Sequence, residues 1–279
     1  MNGWLGMIPT DQNASVVIAD LMALFVIVGG RALGFVLIHP IFGKFGISFG
    51  LLRGSVMVAM TLPLLPLGAS MAAADPQLLE PANMPFHLVR EIIIGGILGL
   101  VTGIPFWAAI AAGEFLDMQR GAAMATETDA TGEQVSISGN LFFLAAVLVL
   151  TAEGLLIPAL FGPIIESYQV FPLFGQLAWP DIQQGGLVLG LLDDLFRAGL
   201  ILAMPILIPL LLTELVIGIS TKYMPQINAT FLAMSAKQLV YLLMLVLFLP
   251  LLARYVLGLV GQEGFTAQSM TRFLEGIAR

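Results

Sequence analysis

Residues 185–219 read GGLVLGLLDDLFRAGLILAMPILIPLLLTELVIGI. The stretch is apolar almost throughout, which points to a helix kept away from water. At about 1.5 Å per residue it is longer, by a wide margin, than a bilayer core of roughly 30 Å is thick. Pro205 and Pro209 fall mid-run and are expected to kink or split it.

The rest of the chain agrees with that run. It is 58% hydrophobic and 10% charged, with a mean hydropathy of +0.98, which leaves too little polar cover for a soluble domain. Apolar segments at 16–42, 48–74, 88–112, 139–161, 185–219 and 238–261 suggest six helical units, so the predicted class is an all-α, polytopic membrane protein with broken helices. The start, MNGWLGMIPTDQNASVV, has neither a basic n-region nor a small-residue cleavage site, so the first apolar run is expected to stay in the mature protein. Lys and Arg are spread too evenly over the connecting segments to orient the spans.

Several charges fall inside these runs. They are Asp20 and Arg31 in the first, Arg90 and Glu91 in the third, Glu153 in the fourth, Asp193, Asp194, Arg197 and Glu214 in the fifth, and Arg254 in the sixth. Each would cost roughly 2.5–3.5 kcal/mol at a bilayer centre, so they are expected to face protein or water. Asp193 and Arg197, one turn apart, are expected to pair with each other. Asp20 and Arg31 stand about 16 Å apart along one helix, so each needs another partner. A proton relay through Asp20, Glu153 and Glu214 is the sharper alternative, with no histidine beside these acids to support it. Gly95, Gly99 and Gly103 line one helix face and invite close approach of another backbone, either in the same chain or in a neighbour.

The stretch GEFLDMQRGA, residues 113–122, opens a window in which five of the eighteen acids gather: Glu114, Asp117, Glu127, Asp129 and Glu133. Glu114, Asp117 and Arg120 recur every three residues and form a polar stripe at a helix end. The segment that follows, ATETDATGEQVSISGN, has little periodicity and reads as a loop.

Other chemistry is missing. With no cysteine and only His39 and His87, thiol nucleophiles, thiolate sites and multi-histidine metal sites are ruled out. A net charge of −7 without a basic cluster argues against nucleic acid. His39, just before Pro40, is expected to cap or pack at a helix end, and the two glycosylation-like triplets at Asn13 and Asn228 are short enough to arise by chance.

GEFLDMQRGA resembles the signature of the type III secretion export-apparatus family called SctT in injectisomes and related to FliR in flagella. Three more stretches agree in order: RALGFVLIHPIFG at 31–43, ESYQVFPLF at 166–174 and STKYMPQINATFLAMSAKQLVYLL at 220–243. The last is the most specific, because a Pro-Gln-x-Asn turn with a Lys nine residues after the Asn is no generic membrane pattern. The Asp117 to Gly121 core resembles the injectisome branch.

The resemblance implies a non-enzymatic subunit of the bacterial inner-membrane export gate, without a cofactor. It would work beside R-type (SctR), S-type (SctS), U-type (SctU) and V-type (SctV) proteins, passing unfolded polypeptides. Residues 1–183 would resemble the R-type fold and 184–279 the S-type hairpin. The loop at 126–138, with Glu127, Asp129, Thr131, Gly132 and Glu133, would plug the channel. Arg31, Pro40, Glu114, Asp117, Gln119, Arg120, Gly121, Pro225, Gln226, Asn228 and Lys237 would be subunit-contact or structural positions. Two rival readings are weaker: a secondary transporter should show paired discontinuous helices in two halves, and an enzyme should show a nucleophile with its base or a metal cluster.

Overall fold

The computed structural model describes residues 11–44, 50–74, 83–121, 127–128, 134–173, 186–220, 222–223 and 229–258. The helices are α1 (Asp11–Ile38), α2 (Pro40–Lys44), α3 (Gly50–Thr61), α4 (Leu65–Ala74), α5 (Met84–Arg120), α6 (Ile137–Ala152), α7 (Leu156–Val170), α8 (Gly186–Ser220) and α9 (Ala229–Gly258). A single 3-10 turn, Leu62–Leu64, joins α3 to α4 across Pro63. Among the described residues five helical stretches are long and apolar enough to cross a membrane: Ala19–Ile38, Gly50–Ser70, Met84–Arg120, Leu192–Ser220 and Phe231–Gly258. The bent pair α6–α7 supplies a sixth if it counts as one span.

The break falls where the sequence reading did not place it. Pro205 and Pro209 lie inside α8, which runs unbroken from Gly186 to Ser220. Apolar helices of this kind tolerate proline, and the Thr213 hydroxyl adds a side-chain bond to the Pro209 carbonyl at 2.8 Å. The fourth apolar run, read as one segment, is instead bent by 83° between α6 and α7. Gly154, at φ +69°, takes the left-handed conformation that ends α6.

By contact the chain forms two compact units. The first contains α1, α3, α4, the first half of α5 and the second half of α7. Here α1 and α5 cross with their backbones touching. A Cβ added at Gly34 would strike the Ile92 carbonyl, one at Gly95 the Arg31 carbonyl, and one at Gly99 would come within 2.8 Å of the Phe35 carbonyl. The glycine face at Gly95 and Gly99 is therefore an internal helix contact. Ile27, Val28 and Phe35 of α1, Leu98 of α5, Met60 of α3 and Tyr168 of α7 fill the core beside this crossing.

The second unit contains α2, the second half of α5, α6, the first half of α7, α8 and α9. Lys237 meets Glu214 and Tyr255 meets Ala198, so α8 and α9 run antiparallel as a hairpin. Phe142 of α6 packs on Phe248 of α9 at 5.5 Å, and Phe106 of α5 on Phe143 at 6.1 Å. Gly113 lies so close to α6 that a Cβ there would strike the Gly139 backbone. Gly103 meets Pro40, the buried first residue of α2. The outward faces of α8 and α9 are aliphatic, with Leu212, Leu215, Leu243 and Val246 exposed, as suits helices facing lipid or partner helices.

Candidate functional site: two polar junctions

Within the second unit the end of α5, the start of α6 and α9 meet at one carboxylate. Asp117 Oδ2 accepts from the Ser136 hydroxyl at 2.5 Å and the Ser138 backbone N–H at 3.1 Å, while Oδ1 accepts from the Ser138 hydroxyl at 2.5 Å and from Arg120 Nε at 2.8 Å. Ser136 is the N-cap of α6, its hydroxyl accepting from the Gly139 N–H at 2.8 Å. A carboxylate there also faces the positive end of the α6 dipole. Asp117 thus caps α6 from outside it.

Arg120 carries the junction into α9. Its Nη1 donates to Gln238 Oε1 at 2.8 Å, and its guanidinium lies 4.3 Å over the Tyr241 ring. Tyr241 in turn shares a 2.7 Å hydrogen bond with the Ser138 hydroxyl. One turn away Lys237 Nζ donates to the Gln119 carbonyl at 2.9 Å and to Glu214 Oε2 at 2.8 Å, and Gln119 Nε2 donates to the same Glu214 oxygen at 2.9 Å. A cation at the last carbonyls of α5 suits the negative end of its dipole. α5 then closes on Gly121, whose φ of +78° is left-handed.

The first unit holds the second junction. Arg31 donates to Glu91 at 2.7 Å, to the Ser167 hydroxyl at 2.9 Å and to the Phe171 carbonyl at 2.9 Å, with its guanidinium 3.8 Å over the Tyr168 ring. Arg90 donates to the carbonyls of Leu173 at 2.6 Å and Pro172 at 3.0 Å. Arg31 and Glu91 are fully buried, so this ion pair is interior structure. Low dielectric makes such a pair costly unless it is well hydrogen-bonded, and each of the three guanidinium nitrogens of Arg31 has a partner.

The sequence-predicted residues fall into three groups. Arg31, Asp117, Gln119, Arg120 and Lys237 enter the two junctions, and Pro40 and Gly121 hold helix ends. Glu114 lies on the exposed side of α5, because successive i+3 steps turn the stripe by about 60° each and carry it out of register with the contact. Asp129, Thr131, Gly132, Glu133, Pro225, Gln226 and Asn228 lie outside the described residues. So does the side chain of Glu127, although its backbone and Thr128 pair in a short antiparallel ladder with Val135 and Gln134. Among the described residues that ladder adds to a segment expected to be an irregular loop.

Two other expectations change. Asp193, Asp194 and Arg197 are all exposed, and Asp193 and Arg197 form no ion pair with each other. Asp20, Glu153 and Glu214 are exposed as well, and Glu214 is engaged by Lys237, which removes the buried-acid premise of a proton relay. His39 packs at the end of α1, one of the two roles expected of it, stacked on Phe35 at 5.0 Å.

Sequence reasoning missed Ser136, Ser138, Gln238, Tyr241, Ser167 and Tyr168. Ser136 carried a usable sign, a serine just before an apolar run. Tyr241 stands four residues after Lys237, on the same helix face.

Among the described residues the buried charges join helices to one another, which defines a polytopic helical membrane protein. Residues 22–262 match the sequence model of the family described as bacterial export proteins, family 1, and the chain belongs to that family. It is similar to the surface presentation of antigens protein SpaR of Salmonella typhimurium, 29% identical over 240 residues covering 84% of this chain and 88% of SpaR. It is also similar to Yop proteins translocation protein T of Yersinia pestis, 26% identical over 76% of this chain and 80% of that protein. Flagellar biosynthetic protein FliR of Pectobacterium carotovorum is 32% identical over 59% of this chain and 62% of its own length. The chain is therefore a membrane protein of the type III secretion or flagellar export apparatus.

Proposed function

We propose that this chain is a non-enzymatic core subunit of an injectisome export gate in the bacterial inner membrane. It lines a protein-conducting channel with R-type and S-type subunits, contacts the U-type and V-type proteins, and passes unfolded polypeptides. On this reading residues 126–138 close the idle channel, and residues 1–183 and 184–279 correspond to the R-type and S-type folds.

One observation carries the reading: the end of α5 and the start of α6, between which residues 122–135 lie in sequence, are held together at a single carboxylate, Asp117. A segment pinned at both feet and otherwise polar can be displaced without unpacking the helices that hold it. Met118, 70% exposed beside the first foot, offers an adaptable apolar surface to passing chains.

The test is co-expression with candidate R-type and S-type subunits followed by native mass spectrometry. A stable complex containing this chain is expected. A lone monomer, unaffected by those subunits, would contradict the proposal.

A further inference from the structure

We propose that the acidic corner between α6 and α7 is a docking point for a basic side chain carried on an apolar helix of a neighbouring membrane subunit. The inference rests on the export-gate reading for the presence of such neighbours. α6 ends without help from the side chain of Glu153. The Glu153 N–H donates to the Val149 carbonyl at 3.1 Å, the Gly154 N–H to Thr151 at 3.1 Å and the Leu155 N–H to Leu150 at 2.8 Å, so backbone donors already serve the last turn. The carboxylate is exposed and has no hydrogen-bond or ion-pair partner among the described residues.

Its surroundings are wrong for a solvated surface acid. Leu148, 67% exposed, and Ile157, 61% exposed, flank it on the two arms, with Leu144 and Pro158 also outward. The arms meet the length and apolarity of a membrane crossing only as a pair, and Glu153 stands at the 83° bend that divides them. A carboxylate framed by aliphatic side chains and unpaired among the described residues calls for a cation from outside. The apolar frame requires that the cation arrive on an apolar carrier. A Lys or Arg among aliphatic residues of a partner helix meets both demands, and a soluble basic peptide meets only the first.

The test uses the full chain in cells carrying the whole secretion system. A photo-crosslinking phenylalanine analogue is placed at Leu148 and, separately, at Ile157. Both are expected to crosslink to one and the same neighbouring subunit. Glu153→Lys should lower recovery of the affinity-tagged complex at least tenfold with the chain at its normal membrane level, and Glu153→Gln should lower it less. Reversing the basic residue of the crosslinked helix to Glu should restore the Glu153→Lys complex.

Normal recovery of the Glu153→Lys complex, crosslinks to lipid alone, or crosslinks to a second copy of this chain would each overturn the proposal. If Glu153→Lys chains fail to accumulate, the crosslinks in the otherwise unaltered chain decide the matter. A wild-type chain that co-purifies with no other subunit sinks the export-gate reading together with this one. An intact complex without crosslinks sinks only the acidic corner.

Discussion

Asp117 shows how much one side chain can hold in an interior this apolar. Its two oxygens take four hydrogen bonds from three residues on two helices, and the pair with Arg120 is almost wholly buried. Asp117→Asn keeps the shape but leaves Arg120 without its anion, a loss of about 3–5 kcal/mol for a broken buried pair. The thermal midpoint of the purified complex should fall accordingly. Adding Arg120→Gln should recover part of the loss, because the second change removes the stranded charge. Arg31→Lys should cost on the order of 1–3 kcal/mol, since one ammonium cannot serve Glu91, Ser167 and the Phe171 carbonyl in the guanidinium's planar geometry. Unchanged midpoints in both variants would show that the junctions are incidental. That Asp117 and Arg120 would share a polar stripe at a helix end was legible from their spacing. Their partners were not, because Ser138, Gln238 and Tyr241 are distant in sequence and of ordinary type.

The helices were legible by length and apolarity, and their breaks were not. Proline was read as the breaker in the run at 185–219, yet α8 continues through two prolines, while the break lies at Glu153–Gly154. A glycine after a polar residue ends a helix by offering a left-handed backbone, which weighs more here than the prolines that an apolar helix tolerates. Glycine also decides the α1–α5 crossing. Gly95→Leu would drive a side chain into the Arg31 carbonyl and force two helices apart, so the chain is expected to vanish from the membrane fraction on quantitative blotting. Gly162→Ala, where an added Cβ meets nothing within 4 Å, should accumulate like wild type or gain up to about 1 kcal/mol from helix propensity. Equal levels of the two variants would mean that the close crossing is not required.

Over the whole molecule the four stretches that carried the family resemblance join in pairs. Arg31 of the first meets Ser167 and Phe171 of the third, and Asp117 and Arg120 of the second stand in one network with Gln238 and Tyr241 of the fourth. Each pair lies within one compact unit. The motifs are therefore joints between helices. The central claim is that the segment between the feet at Asp117 closes a channel without building it. Its most direct test is the conductance of reconstituted complexes in planar bilayers, with residues 126–135 shortened to a Gly-Ser linker and Ser136 and Ser138 retained. The account predicts complex yield near wild type with a raised ion leak, and a weaker leak when Glu127, Asp129 and Glu133 are replaced together by Ala, because bulk outweighs screened charge. A shortened complex that assembles and stays as tight as wild type would contradict it.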